Sequence, residues 1–103
     1  MSLVVEFSVV PLGKGESVSP SVARVLKIVS DSGIPYKANP MGTVLEGDWA
    51  SVMAIIKQCH DEVMKDGERV LTSITIDDRK GSDKRLEKKL ESVEQKLGMN
   101  LKR

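Results

Sequence analysis

The chain of 103 residues contains one cysteine, one histidine, and one each of phenylalanine, tyrosine and tryptophan. Because Cys59 is alone, an internal disulfide and any Cys-x-x-Cys redox or zinc site are excluded. His60 has no second histidine at zinc-binding spacing, and nothing in the sequence orients it as the base of a catalytic triad. With so few aromatic residues, small aliphatic side chains must fill most of the core.

Long hydrophobic runs and a strong net charge are also missing. No apolar stretch approaches the ~20 residues of a membrane-spanning helix, and no signal-peptide hydrophobic segment follows Met1. We therefore expect a cytoplasmic protein with neither a membrane nor a nucleic-acid partner, since the formal charge is only +1. Residues 79–103 hold nine basic and four acidic residues. Their alternation at helical spacing favours a solvated helix face over a nucleic-acid-binding tail.

The length predicts a single domain over residues 1–103, because about 100–150 residues is the usual size of one hydrophobic core. Residues 3–10 alternate apolar with mixed side chains, which is the period-2 pattern of a half-buried strand. Two short strands are predicted at 34–38 and 43–46. A longer strand, rich in β-branched residues, is predicted at 69–77.

Amphipathic helices are predicted between these strands. The first begins at Ser17 or Ser19 and ends at Gly33, and the second is capped by Asp48 and ended by Gly67. The predicted core stripes of these two helices are Val22, Val25, Leu26 and Val29, then Val52, Ile55, Ile56, Cys59 and Val63. A third, C-terminal helix is predicted, with an apolar stripe of Leu86, Leu90, Val93 and Leu97. The order βαββαβ plus one helix predicts an α+β protein with a ferredoxin-like sandwich.

In this fold the helices cover one face of the antiparallel sheet, and we name the other one the open face. Alternation places Glu6, Ser8 and Glu46 on the open face, where they can cluster because the first and third strands are neighbours. Two interpretations stay open. The cluster either binds a ligand or packs against another subunit, which would also cover the apolar residues predicted for this face, namely Val4, Val10, Val44 and Leu71.

Other residues allow a chemical or a purely structural interpretation. Tyr36 and Trp49 can stack on a planar ligand, but Trp49 follows the predicted helix cap and is equally suited to packing there. The segment 13–15 precedes a helix but lacks the spacing of a phosphate-binding loop, so a plain turn is favoured. Asp77 and Asp78 are better explained as a charged strand end than as a cation site.

Three segments together resemble the small thiamine-binding protein family, the YkoF-like group. They are residues 8–17, residues 39–47 and the strand region 69–79. The resemblance runs from Glu6 to Leu97, and its most specific part is the Pro-Met-Gly-Thr…Glu-Gly block within 39–47. This sequence departs from the family pattern at Asp48-Trp49 and at Pro20, and the first of these departures bears on the pocket wall.

The resemblance implies a protein without catalytic activity or a required cofactor, which binds thiamine or its hydroxymethylpyrimidine portion. It also implies homodimers that pair into tetramers. The residues present suit this ligand, because a carboxylate of Glu6 or Glu46 can offset the thiazolium cation and Tyr36 or Trp49 can stack on a ring. The hydroxyl of Ser8 or Thr43 can bond to the pyrimidine edge. The alternative is a regulatory or structural oligomeric module whose sheet face serves only subunit contacts.

Overall fold

The computed structural model describes residues 3–13 and 19–80, in which four strands and two helices follow one another as βαββαβ. The elements are β1 (Leu3–Pro11), α1 (Ser19–Ser32), β2 (Tyr36–Asn39), β3 (Gly42–Gly47), α2 (Trp49–Met64) and β4 (Val70–Asp78). The strands form one antiparallel sheet in the order β2-β3-β1-β4. This is the predicted ferredoxin-like α+β fold. The predicted third helix lies outside the described residues.

The hydrophobic core lies between the sheet and the two helices. β1 is central, and its Val5 pairs with Leu45 of β3 on one side and with Ile76 of β4 on the other. The alternating residues predicted to face the helices are all buried, namely Leu3, Val5, Phe7 and Val9. The predicted stripe of α2 is buried as well. Each such side chain contributes about 1.5–3 kcal/mol when it is fully removed from water.

The N-cap of α2 and the C-terminal end of α1 follow local chemistry. The carboxylate of Asp48 accepts a hydrogen bond from the backbone N–H of Ser51 at 3.0 Å and caps α2, as predicted. Hydrogen bonding from Ser51, through its side chain and its backbone N–H, lowers the pKa of Asp48. Gly33 has φ of +80°, the left-handed conformation that ends α1. Helix α2 ends at Met64 with Lys65 as its C-cap, earlier than the predicted stop at Gly67.

An ion-pair cluster joins the two helices. Nε of Arg24 lies 3.4 Å from Oε1 of Glu62, and the same guanidinium contacts Asp66 through Nη2. The hydroxyl of Ser21, itself buried, donates to Asp66 at 3.0 Å. These contacts fix the N-terminal part of α1 against the C-terminal end of α2. Neither helix in the described part of the chain is long and apolar enough to cross a membrane.

The first helix departs from its predicted pattern at one residue. Val25 and Val29 are buried, but Val22 is 42% exposed. Its side chain borders a gap between α1 and the hairpin that joins β2 to β3. Periodicity identifies the inward face of a helix but does not say whether another element reaches that face.

Candidate functional site

The gap beside α1 is a cavity of about 160 Å³. Its walls come from the C-terminal end of β1, the N-terminal half of α1 and the β2–β3 hairpin. The lining residues are Phe7–Val10, Val22, Val25, Leu26 and Ala38–Thr43. All of these described residues are uncharged, so the described walls are neutral and mostly apolar. We call this cavity the hairpin pocket.

Thr43 is the buried polar residue of the hairpin pocket. It pairs with Phe7 and shares the helix-facing side of β3 with Leu45. Thr43 is only 6% exposed and lines the pocket. Its hydroxyl can donate a hydrogen bond to a bound molecule or accept one from it.

The hairpin wall of the pocket is held by two local constraints. Oδ1 of Asn39 accepts a hydrogen bond from the backbone N–H of Met41 at 2.9 Å, which fixes the turn. The amide of Asn39 also donates to Oε2 of Glu6 at 3.4 Å. At Gly42, a Cβ atom would lie 2.8 Å from the carbonyl oxygen of Phe7. Glycine therefore allows β3 to approach β1 closely at the pocket wall.

The three residues predicted for the open face do lie on it. Glu6 pairs with Thr75 and Ser8 with Ser73, while Glu46 pairs with Val4. Glu6 is exposed, and its carboxylate is engaged by Asn39. Glu46 is buried, with 6% exposure. Ser8 lies among the residues that line the hairpin pocket, although alternation directs its side chain to the open face.

The other predicted ligand residues lie elsewhere. Thr43 is on the helix-facing side of the sheet. Tyr36, on the same side, pairs with Leu45 and is 40% exposed. Trp49 is the first residue of α2 and is 56% exposed, at the end of the sheet remote from the hairpin pocket.

The six predicted residues therefore lie on both faces of the sheet, and the structure brings Glu6, Ser8 and Glu46 to the open face. The physical reason is alternation along β3, because Thr43 has the parity of Leu45 and not of Glu46. The exposed apolar surface expected on the open face also differs, since Val4 is only 9% exposed while Leu71 is 56% exposed.

Sequence reasoning missed most of the pocket lining. Val22 and Leu26 were assigned to the core stripe of α1, and Met41, which is 85% exposed, was given no role of its own. Asn39 carried a usable signal, because an asparagine before proline commonly bonds to the backbone two residues later. No comparable signal in the sequence indicates that α1 and the hairpin leave a gap.

The cysteine and the histidine lie away from the pocket. Cys59 is completely buried, and burial raises the pKa of its thiol to about 11, which confirms its interpretation as a core residue. Nδ1 of His60 and Oγ1 of Thr72 are 2.6 Å apart and share a hydrogen bond between α2 and β4. Within residues 3–13 and 19–80, no three histidine, cysteine, aspartate or glutamate side chains converge as metal ligands would.

This chain is similar to known proteins over nearly its whole length. A UPF0045 protein of Mycobacterium bovis is 41% identical over 98 residues, covering 94% of this chain and 96% of the relative. A UPF0045 protein of Methanocaldococcus jannaschii is 38% identical over 91 residues, or 88% of this chain and 91% of its own. The crystal structure of the Methanocaldococcus protein matches with a TM-score of 0.84, covering 89% of this chain and 95% of that chain.

A more distant structure shares the fold. It is a Thermotoga maritima protein proposed to act in thiamine biosynthesis or salvage, with a TM-score of 0.79 and 22% identity. The alignment covers 90% of this chain and 99% of that one. The sequence model of the protein family described as "Thiamine-binding protein" matches residues 5–94 of this chain. This chain therefore belongs to the thiamine-binding protein family, as the resemblance of its three segments predicted.

Proposed function

We propose that the protein binds thiamine or its hydroxymethylpyrimidine portion in the hairpin pocket, without chemical turnover. The observation that carries this proposal is the largely buried Thr43 in the wall of a cavity whose described lining residues are uncharged and mostly apolar. Membership of the thiamine-binding family supplies the ligand class. The cavity supplies a place for that ligand.

The size of the pocket favours one ring over two. A cavity of ~150 Å³ in another protein holds benzene, whereas drug-sized ligands occupy roughly 300–1,000 Å³. At about 160 Å³ the hairpin pocket accommodates a single six-membered ring. Burying a cation without a counter-charge is costly. The neutral pyrimidine therefore belongs inside and the thiazolium outside.

The polar and apolar contacts suit that orientation. The hydroxyl of Thr43 both donates and accepts, and an aminopyrimidine edge presents both kinds of partner. The ring of Phe7 and the aliphatic side chains of α1 provide the apolar walls. In this arrangement Glu6 and Glu46 lie across the sheet from the pyrimidine. A carboxylate of the open face is then not the main determinant of affinity.

The alternative is a structural or regulatory oligomeric module. It is supported by apolar side chains exposed on β4, where Leu71, Ile74 and Ile76 are at least one-third accessible. Self-association does not conflict with ligand binding, because the hairpin pocket and β4 lie at different parts of the sheet. The two functions must therefore be tested separately.

Calorimetric titration with thiamine, hydroxymethylpyrimidine and the isolated thiazole portion tests the binding proposal. We expect hydroxymethylpyrimidine to bind within about tenfold of thiamine, because the buried contacts involve the pyrimidine alone. The thiazole portion should not bind. The proposal would be contradicted if neither thiamine nor hydroxymethylpyrimidine gave binding heat at millimolar concentration while circular dichroism showed a folded protein. That result would favour the structural or regulatory module.

A further inference from the structure

Met41 is the one sulfur-containing residue among the described residues that line the hairpin pocket. Its side chain is 85% exposed, more than that of any other large hydrophobic residue in the described part of the chain. A side chain in water at the edge of an apolar cavity is accessible both to dissolved reagents and to a molecule bound in the cavity. Met41 therefore links the chemistry of the solvent to the pocket.

The turn between β2 and β3 holds Met41 in this place. Pro40 and Met41 form a two-residue connection between Asn39 and Gly42, which pair with each other. The ring of Pro40 fixes its own φ, and the backbone N–H of Met41 donates to Oδ1 of Asn39 at 2.9 Å. The backbone is thus constrained while the side chain meets solvent. The exposure of Met41 is therefore a feature of the folded hairpin.

The other methionines within residues 3–13 and 19–80 are less accessible. Met53 is partly buried against the hydrophobic core, and Met64, the last residue of α2, is 37% exposed. Neither of them is among the described lining residues of the hairpin pocket. Since a thioether reacts only when its sulfur meets the oxidant, this order of exposure indicates that Met41 reacts first.

We propose that Met41 is a site of reversible oxidation by hydroperoxides, and that its sulfoxide weakens ligand binding in the hairpin pocket. The first part concerns Met41 alone, whereas the effect on binding rests on the proposed function. The pocket then loses its ligand under oxidising conditions and regains it once the thioether is restored.

The reaction balances with the peroxide as the only co-reactant. A lone pair of the Met41 sulfur attacks one oxygen of hydrogen peroxide, so that an S–O bond forms as the O–O bond breaks. The proton on the transferred oxygen passes to the leaving oxygen, which departs as water. Sulfur is oxidised and the peroxide is reduced by the same electron pair. In the reverse step, catalysed by methionine sulfoxide reductases, thiols are oxidised to a disulfide and the sulfoxide oxygen leaves as water.

The sulfoxide changes the character of the pocket wall. A methionine thioether is flexible and makes favourable contacts with an aromatic ring, whereas the sulfoxide is polar and accepts hydrogen bonds from water. The side chains of Val10, Val22 and Leu26, which line the same pocket, provide no donor for that oxygen. A ring bound against the sulfoxide would remove its water without replacing the hydrogen bonds, at a cost in free energy. We therefore expect the oxidised protein to bind pyrimidine compounds more weakly.

Peptide mapping tests the modification site without any ligand. The native protein is treated with hydrogen peroxide, quenched, unfolded and cleaved after glutamate. Cleavage at Glu46 separates Met41 from Met53, and cleavage at Glu62 separates Met53 from Met64. We expect mass spectrometry to show faster oxidation of Met41 than of the other two in the native protein, and similar rates in the unfolded protein. Native Met53 or Met64 reacting as fast as Met41 would overturn the proposal.

Titration calorimetry with hydroxymethylpyrimidine tests the effect on binding. Each protein is compared with itself before and after peroxide treatment, and circular dichroism checks that the oxidised protein is folded. The dissociation constant of the wild type should rise at least about fivefold, and it should return when a methionine sulfoxide reductase and a thiol restore the thioether. The affinity of Met41→Leu should not respond to peroxide, because this variant has no sulfur in the pocket wall. Met64→Leu is the matched control and should lose affinity as the wild type does.

Two results would show that oxidation of Met41 does not regulate the pocket. One is complete oxidation of Met41 with unchanged affinity, and the other is an equal loss of affinity in Met41→Leu after peroxide. A wild type that binds no pyrimidine compound before treatment would instead contradict the proposed function. The native oxidation rates would in that case decide the modification site by themselves.

Discussion

Replacement of Thr43 by valine is the most direct test of the hairpin pocket. The change exchanges one hydroxyl for a methyl group and leaves the β-branched shape in place. The pairing of Thr43 with Phe7 involves backbone groups and is not affected by the substitution. We therefore expect the free energy of unfolding to change by less than about 1 kcal/mol, since the exchange leaves no cavity.

The effect on binding should be much larger. If the hydroxyl bonds to the ligand, the variant loses that bond and leaves a polar group of the ligand unpaired, at a cost of about 1–2 kcal/mol. This corresponds to roughly a 5- to 30-fold increase in the dissociation constant. Isothermal titration calorimetry with hydroxymethylpyrimidine measures the loss, and thermal melting of the same samples measures stability. Thr75→Val, on the open face of β4, is the control that should bind as the wild type does.

A second variant separates the two faces of the sheet. The sequence-based hypothesis assigns the thiazolium to Glu46, so Glu46→Gln would weaken thiamine binding by about 1–3 kcal/mol. If the ligand binds in the hairpin pocket, Thr43→Val should instead weaken thiamine binding more than Glu46→Gln does. Unaltered affinity in Thr43→Val, together with a loss in Glu46→Gln, would refute the pocket and place the ligand on the open face.

Three further predictions concern the fold that supports the pocket. Gly42→Ala should lower the melting temperature and weaken ligand binding, at a cost to stability of about 1–3 kcal/mol, because the added Cβ would lie 2.8 Å from the backbone oxygen of Phe7. Cys59 should resist iodoacetamide at pH 8 in the native protein and react after unfolding, since burial raises the pKa of its thiol to about 11. The hydrogen bond from Ser51 lowers the pKa of Asp48, so this cap stabilises the fold above about pH 4 and its contribution is lost as the pH falls further. Asp48→Asn, which keeps a good cap without a titrating group, should therefore reduce the loss of melting temperature in acid, and an unchanged acid profile would contradict this account.

The parts of the fold with strong periodicity could be predicted from the sequence. The stripe of α2 was identified residue by residue because its apolar residues recur at helical spacing and the Asp48 cap fixes where the helix begins. β1 was equally clear, since alternate residues from Leu3 to Val9 are apolar. In both elements one hydrophobic face meets a single continuous surface. Local pattern and tertiary burial therefore agree.

The alternation of β4 correctly predicted which of its residues face the helices. It did not indicate how exposed those side chains are. Thr72, Ile74 and Ile76 face the helices in the register with β1, as predicted. Two of them are nevertheless exposed, because β4 is at the edge of the sheet. A strand at an edge and a strand in the middle can have the same alternation. Position within the sheet depends on long-range pairing, which the alternation of one strand does not contain.

The hairpin shows which parts of the candidate pocket the sequence could indicate. The block of residues 40–43 was singled out and lies in the pocket wall, but the search for a counter-charge to thiazolium connected it to Glu46. In the structure Asn39 fixes the turn, Gly42 permits the close approach to Phe7, and Thr43 presents a hydroxyl to the pocket. The glycine and asparagine thus shape a neutral wall. Because none of the described residues of that wall is charged, the proposed ligand would be recognised by ring shape and by the Thr43 hydroxyl. Its cationic part would then remain in water beyond the turn and contribute little to affinity.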